Sequence, residues 1–212
     1  MTSAVIFDMD GVLVDSGAHH RASWRALLEE LGVPEPPEFW RRTIGRPAAE
    51  AVGPLLDRVL GADEAHELGR RKHAHYARLS GQGVPAVAGV TEFVATLVRH
   101  GVPRAVATSA RRADVTAILS RLRLLEHFPV VVAAEDVRRG KPDPEVYHRA
   151  AGGLGVAPGR CLVFEDAPVG VQAARAAGMR VIGVTTAHAG DELLAAGAER
   201  VIDHFEGCTW PM

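Results

Sequence analysis

Short apolar runs typical of β-strands recur along the chain, and helical patterns separate them. The strand candidates are Ala4–Phe7, Arg104–Thr108, Val130–Ala133, Cys161–Phe164 and Val181–Val184. Strands that alternate with helices at this pace predict an α/β fold, with a parallel sheet covered on both faces. Ligands of such sheets bind beyond the carboxyl ends of the strands.

The alternation is interrupted between the first and the second strand. From Ser16 to about Pro85 the residues show helical patterning and no convincing strand. Helices are predicted there over Ala48–Leu60 and Asp63–Leu79, among others. An all-helical insert that begins directly after the first strand is the simplest interpretation. We therefore expect a core of residues 1–15 and 86–212 and a helical insert of residues 16–85.

An acidic pair follows the first strand. Asp8 and Asp10 come directly after Ala4–Phe7, and Gly11 follows them. Alternate side chains of an extended chain point to the same side, so both carboxylates can face one site. Because carboxylates so close together repel each other, they need a cation or a proton to coexist. The pair therefore predicts a metal-assisted site at the carboxyl end of this strand.

Polar residues also occur near the ends of three other predicted strands. They are Thr108-Ser109, Lys141 and Glu165-Asp166, in chain order. In a parallel sheet these strand ends open onto one edge, which would gather a carboxylate nucleophile, a second acid, a hydroxyl, a cation and an acidic pair. Taken singly, each has an ordinary interpretation, such as a calcium loop, a capped turn or a loop lysine. Their combination at four strand ends favours a functional site.

Composition narrows the possible partners and location. With 212 residues, the chain can form one large domain or a domain with a smaller insert. A net charge of −2 does not favour nucleic acid or a membrane surface as a partner. The two cysteines match no metal or redox spacing. No basic-then-apolar N-terminal signal and no long apolar span occurs, so we expect a cytoplasmic protein, monomeric or weakly homo-oligomeric.

These motifs together resemble those of the haloacid dehalogenase-like hydrolase superfamily, in its branch of small phosphatases and phosphomutases with a helical cap. The matching residues, in the family's order, are Asp8-x-Asp10-Gly-Val, Thr108-Ser109, Lys141-Pro-Asp-Pro and Glu165-Asp166. A run from Gly170 to Val184 also reads like the family, so the resemblance covers nearly the whole chain. It implies a Rossmann-like catalytic core and a cap, formed by the insert, that selects the substrate.

The resemblance implies a role for each residue of the acidic pair. Asp8 would attack phosphorus to form an aspartyl-phosphate, the covalent route open to a carboxylate. Asp10 would protonate the leaving oxygen and then act as base for the hydrolytic water. Mg²⁺ would be held by the Asp8 carboxylate, the Asp10 backbone carbonyl and Asp166, with Glu165 near or behind these ligands.

The resemblance also implies which residues bind the substrate. Thr108 and Ser109 would hydrogen-bond the phosphoryl oxygens, and Lys141 would neutralise charge on the nucleophile and the phosphate. In the cap, His20 matches a position that lies near the active site in mutase relatives, and Arg46 matches a substrate-facing loop. A surface position is the alternative for both cap residues.

The function implied is a Mg²⁺-dependent phosphatase of a small phosphorylated metabolite, such as a sugar or polyol phosphate. The β-phosphoglucomutase relatives grip the distal phosphate with a lysine and an arginine of a cap loop, where this chain has Ile44 and Ala48. A phosphomutase therefore stays the first alternative, and a phosphate-ester binding protein without turnover the second. The presence of Asp10 argues against a dehalogenase, and the inserted cap against a phosphorylated receiver.

Overall fold

The computed structural model of this chain describes residues 3–44 and 47–211, and a parallel sheet forms its centre. Within that range the sheet has six strands, in the order β3-β2-β1-β4-β5-β6. They are β1 (Ala4–Phe7), β2 (Arg104–Ala107), β3 (Val130–Val132), β4 (Cys161–Glu165), β5 (Arg180–Val184) and β6 (Arg200–Ile202). Every neighbouring pair is parallel, which confirms the predicted α/β class.

The helices fall into two groups along the chain. They are α1 (Gly17–Glu30), α2 (Phe39–Thr43), α3 (Ala48–Leu55), α4 (Ala62–Ser80), α5 (Val90–Arg99), α6 (Arg112–Arg121), α7 (Glu145–Leu154), α8 (Pro168–Ala176) and α9 (Gly190–Ala195). The chain divides into two compact units, one of Met1–Asp15 with Pro85–Met212 and the other of Ser16–Val84. All strands belong to the first unit, and the described residues of the second are helical or irregular. The helical insert after the first strand is therefore present.

Small side chains line one face of the sheet in the first unit. Alternate strand residues, among them Ile6, Ala105 and Val163, belong to one fully buried cluster. Helices α7 and α8 add side chains such as Tyr147 and Val171 to the same cluster. Because Ala105 presents only a methyl group, α7 can pack closely on β2, with which it is in contact.

Phenylalanine rings line the opposite face. The ring of Phe7 stacks on that of Phe164 in the neighbouring strand, with centroids 5.3 Å apart. Phe93 of α5 and Phe205 near the C-terminus stack on each other at 5.4 Å and complete this layer. Burial of both faces explains why the strands read as continuous apolar runs.

The second unit has a separate core. Helix α1 contributes Trp24 and Leu27, α3 contributes Val52 and Leu55, and α4 contributes Leu68 to one buried cluster. Helix α4 packs against both α1 and α3. The 3.6-residue spacing of apolar residues thus buries one face of each helix inside the unit. No helix within the described ranges combines the length and apolar character needed to cross a bilayer.

Several predicted boundaries are wrong by a few residues. Helix α3 ends at Leu55 rather than Leu60, because Asp57 adopts a left-handed conformation with φ of 50°. Strand β2 ends at Ala107, since the Thr108 hydroxyl accepts a hydrogen bond from the Ala110 amide and turns the chain. Strand β6 is absent from the prediction, because its apolar run is only Val201 and Ile202, after the exposed Arg200.

The phenylalanine layer makes a prediction about stability. Phe93 is 1% exposed, and its replacement by alanine would leave a cavity between the rings of Phe164 and Phe205. We expect Phe93→Ala to lower the free energy of unfolding by about 3–5 kcal/mol, measured by urea denaturation. Val98 of the same helix is 37% exposed, so Val98→Ala should cost less than about 1 kcal/mol. Equal losses in the two variants would contradict the layer's role.

Candidate active site

Polar side chains follow the central strands at their carboxyl ends, where the sequence predicts them. The Asp8 amide donates to the Phe164 carbonyl at 3.0 Å, so Asp8 continues the pairing of β1 with β4. The Thr108 amide donates to the Val132 carbonyl at 3.0 Å and similarly extends β2. Strands β1 and β4 are adjacent, and their connections run to opposite sides of the sheet. The acidic residues therefore flank the topological switch point, where α/β proteins bind ligands.

A buried ammonium lies between two of the carboxylates. Lys141, in the loop before α7, donates to Asp8 Oδ1 at 2.7 Å and also to Glu165 Oε1. The side chains of all three residues are less than a tenth exposed. Breaking such a buried pair leaves an uncompensated charge, so the three groups hold one another in place.

Glu165 is fully engaged in hydrogen bonds. Its Oε1 accepts from Lys141 and from the Tyr147 hydroxyl, the latter at 2.8 Å. Its Oε2 accepts from the backbone amides of Asp166 and Ala167 at 3.0 and 3.1 Å. This carboxylate is therefore fixed at both oxygens, and it in turn fixes the ammonium of Lys141.

Burial and mutual repulsion shift the protonation of these groups. Burial, with help from the charges of Glu165 and Asp10, raises the pKa of Asp8 to about 7 against the attraction of Lys141. Burial also raises the pKa of Asp166 well above its usual range, again with help from the neighbouring carboxylates. For Lys141, burial alone would lower the pKa, but Asp8 and Glu165 outweigh it and hold the pKa well above its usual range. Lys141 therefore stays charged, but its one positive charge is too little to keep the pKa values of Asp8 and Asp166 low.

The acidic cluster meets the requirements of a site for a divalent cation. One carboxylate oxygen from each of Asp8, Glu165 and Asp166 lies within 4.8 Å of the others. In the described part of the chain one ammonium bonds to two of these three carboxylates, so their full ionisation leaves a surplus of negative charge in a buried place. Hard oxygen ligands of this kind suit Mg²⁺ or Ca²⁺. Because hydrogen bonds occupy both oxygens of Glu165, Asp8 and Asp166 are the better placed to hold a cation.

The loop after β5 holds the backbone around these acids. The Thr186 hydroxyl donates to the Gly11 carbonyl at 2.6 Å, and Nδ1 of His188 donates to the Asp166 carbonyl at 3.0 Å. Gly11 has a φ of +74°, and a Cβ there would overlap the Asp166 carboxylate. Glycine at this position is thus required both by the backbone conformation and by the close approach of Asp166.

A second polar group lies within the helical unit. Lys72 of α4 is 4% exposed, and its ammonium donates to Nδ1 of His20 at 2.8 Å. The His20 ring proton must then be on Nε2, because an ammonium has no acceptor. The His20 ring stacks on Tyr76 at 4.3 Å, and the ammonium lies 5.5 Å from the Trp24 ring centroid. Aromatic faces therefore stabilise this buried charge.

The predicted site residues fall into three sets. Asp8, Lys141, Glu165 and Asp166 come together in the first unit, with half-buried Asp10 two residues beyond Asp8. Thr108 is buried and Ser109 exposed at the end of β2. His20 lies in the second unit, and Arg46 lies outside the described residues.

Sequence reasoning missed four side chains of these groups. They are Tyr147, Thr186, His188 and Lys72, whose contacts depend on tertiary packing. For Lys72 the sequence does carry a signal, because the chain has only two lysines. In the structure both of them are buried beside aromatic rings.

Comparison with known proteins agrees with this geometry. A family model described as haloacid dehalogenase-like hydrolase matches residues 5–184. A validoxylamine A 7'-phosphate phosphatase of Streptomyces hygroscopicus subsp. limoneus is 35% identical over 211 residues, which span 100% of this chain and 98% of the relative. A β-phosphoglucomutase of Bacillus subtilis is 31% identical over 190 residues, 85% of this chain and 82% of the relative.

Solved structures show the same fold. A HAD hydrolase of family IA, variant 3, from Entamoeba histolytica aligns with a TM-score of 0.89 at 25% identity, covering 99% of this chain and 96% of that one. The motif resemblance is therefore confirmed along most of the sequence, and the acidic edge of the sheet lies inside the matched region. This chain belongs to the haloacid dehalogenase-like hydrolase family.

Proposed function

We propose that this protein is a Mg²⁺-dependent phosphatase that hydrolyses a small phosphate monoester through an aspartyl-phosphate on Asp8. The observation that carries the proposal is the buried ion pair of Asp8 with Lys141, beside Asp166 at the switch point of the sheet. A carboxylate in this position is a nucleophile with a cation at hand to accept a second anion. Phosphatases among its relatives support the same reaction class.

The proposed reaction has two steps, formation of the aspartyl-phosphate and its hydrolysis. An oxygen of Asp8 forms a bond to phosphorus while the bond from phosphorus to the ester oxygen breaks, and that oxygen takes a proton from Asp10 and leaves as the alcohol. Water then attacks phosphorus and gives a proton to Asp10, and the bond between phosphorus and Asp8 breaks. Inorganic phosphate leaves, and both carboxyl groups return to their starting state.

Lys141 and Thr108 supply electrostatic stabilisation in this proposal. The ammonium offsets repulsion between Asp8 and the incoming phosphate, and it is already in place before the substrate arrives. The Thr108 hydroxyl accepts from the Ala110 amide, so its own proton is available to a phosphoryl oxygen, with neighbouring Ser109 as a further donor.

The residues present fit Mg²⁺ as the cofactor. Asp8, Asp166 and the Asp10 backbone carbonyl would hold it, while Glu165 stands behind them because its oxygens accept four hydrogen bonds. When bound, the ion would reduce charge repulsion between the phosphate and the acidic cluster. The surplus negative charge of the cluster supports this assignment.

The helical unit is proposed to select the substrate, as a cap. Its Lys72 ammonium and His20 ring are a charged and a neutral hydrogen-bond donor, which suit the hydroxyl oxygens of a sugar or polyol. Several relatives support this class, including a phosphorylated carbohydrates phosphatase from Thermotoga maritima. A phosphomutase is the alternative, since a β-phosphoglucomutase is also a relative. The apolar Ala48 at the start of α3 cannot grip a second phosphate and argues against it.

The nucleophile can be tested on a panel of sugar and polyol phosphates. We expect wild type to release phosphate from at least one of them with Mg²⁺, and Asp8→Asn to lower kcat at least about 1000-fold. Asp191→Asn removes an exposed carboxylate in α9 and serves as the control. Absence of release by wild type from every ester, with no effect of Asp8→Asn, would end the phosphatase proposal. Efficient conversion of glucose 1-phosphate to glucose 6-phosphate would favour the phosphomutase instead.

The metal assignment can be tested without measuring turnover. Adding Mg²⁺ at a large excess over its Kd should stabilise wild type by about 2–3 kcal/mol, seen as a rise in Tm of several degrees. Asp166→Asn should lose at least half of this rise, because it removes one ligand charge. In metal-free buffer it should unfold no lower than wild type, because repulsion among the carboxylates is relieved. KCl at equal ionic strength is the control, and an undiminished Mg²⁺ shift in Asp166→Asn would refute the assignment.

The selective role of the helical unit can be tested at Lys72. Lys72→Met keeps the length of the side chain and removes the charge. We expect KM for the preferred sugar phosphate to rise about tenfold or more, as loss of a hydrogen bond to a charged group implies. Hydrolysis of p-nitrophenyl phosphate, which has no sugar hydroxyls, should be nearly unchanged. Arg78→Met on the exposed side of α4 is the control, and equal effects on both substrates would contradict the selective role.

A further inference from the structure

Tyr147 is a buried polar side chain that the proposed reaction does not use. It lies in the first turn of α7 and has no exposed surface. Its hydroxyl is 2.8 Å from Glu165 Oε1 and must donate there, because an ionised carboxylate only accepts. A hydroxyl placed in an otherwise apolar cluster is costly unless it is hydrogen-bonded, so this contact accounts for a tyrosine rather than a phenylalanine at this position.

The same residue also contacts the ammonium of the site. The Lys141 Nζ lies 5.1 Å from the centroid of the Tyr147 ring, within the range of a cation–π interaction. Tyr147 therefore contacts both partners of one ion pair, the ammonium through its ring and the Glu165 carboxylate through its hydroxyl. Because Lys141 also donates to Asp8, the influence of Tyr147 on the nucleophile runs through Lys141.

The balance of hydrogen bonds at Glu165 decides where the ammonium lies. Oε2 is fixed by two backbone amides, and Oε1 is shared between Tyr147 and Lys141. Without the hydroxyl, Oε1 would concentrate its negative charge on Lys141 alone. The ammonium would then move toward Glu165 and away from Asp8, to which it donates at 2.7 Å.

We infer that Tyr147 is a positioning residue that acts through Glu165 to keep the Lys141 ammonium directed at Asp8. This role rests on the proposed function, in which Tyr147 contacts neither the nucleophile nor the phosphate. Tyr147 should affect the rate of the step in which charge develops around phosphorus, because the Lys141 ammonium stabilises that charge.

Tyr147→Phe isolates this role, because it keeps the ring and removes only the hydroxyl. With Mg²⁺ present, we expect kcat to fall by about 10- to 100-fold, the usual cost of losing a group that orients a site residue. The KM should stay within about threefold of wild type, since ground-state binding is retained. In the Glu165→Gln background the further loss from Tyr147→Phe should be small, because the two residues act as one unit.

A spectroscopic measurement tests the geometry without turnover. Since the chain has only two lysines, protein labelled with ¹³C-lysine gives two Cε–Hε signals by NMR, and the Lys72→Met variant assigns them. In metal-free Tyr147→Phe the Lys141 signal should shift while the Lys72 signal stays in place. The Lys72 signal is thus an internal reference for the rest of the molecule.

Val146→Ala is the matched control for a merely structural effect. Val146 is adjacent in α7 and 2% exposed, so the substitution should lower Tm at least as much as Tyr147→Phe does. It should leave kcat and the Lys141 signal near their wild-type values. A Tyr147→Phe variant with wild-type kcat and an unshifted Lys141 signal would overturn the inference while leaving the phosphatase proposal intact. If wild type hydrolyses no ester, that proposal fails, and the NMR signal alone decides the role of Tyr147.

Discussion

The rest of this structure depends on the ion pairs that the buried ammonium of Lys141 forms with Asp8 and Glu165. Three carboxylates gathered within 4.8 Å at the ends of β1 and β4 repel one another strongly in a place with little water. Lys141 bonds two of them and comes from a third part of the chain, the loop before α7. These segments must therefore keep their relative positions for the ion pair to exist. The packing of α7 on the sheet therefore also determines the arrangement of charges at the edge of the sheet.

The two faces of the sheet serve this arrangement differently. Aromatic rings fill the face formed by Phe7 and Phe164, where large contact areas stabilise the unit. Small residues such as Ala105 form the other face and let α7 approach the strands closely. That approach brings Tyr147 within reach of Glu165, at the end of a strand two places away in the sheet. A bulkier face would separate the helix from the site it supports.

The surplus of negative charge at the site lowers the stability of the folded state and favours the binding of a cation. A chain selected only for stability would pair each buried carboxylate or replace it with an apolar residue. Here the Gly11 turn admits the Asp166 carboxylate so closely that no side chain fits between them. Local features that weaken the fold at one place are typical of functional sites, where a ligand completes the charge balance.

Much of the fold and part of the site could be predicted from the sequence, for identifiable reasons. Five of the strands in the described part of the chain are apolar runs, and their polar ends meet because parallel strands share an edge. Strand β6 was not predicted because its apolar run is only Val201 and Ile202, after the exposed Arg200. The roles of Tyr147 and His188 were not predicted, because their hydrogen-bond partners lie far away in the sequence and come close only in the folded chain. The role of Arg46 stays a prediction.

The scarcity of lysine has a practical consequence. The two ε-amino groups of the chain belong to Lys72 and Lys141, and both are buried, one in each compact unit. Reagents that modify amines can therefore report on each unit separately. The rate of modification at each lysine measures how readily the reagent reaches that buried side chain, with no need to alter the sequence. The scarcity of one residue type thus provides two built-in reporters of access, one in each unit.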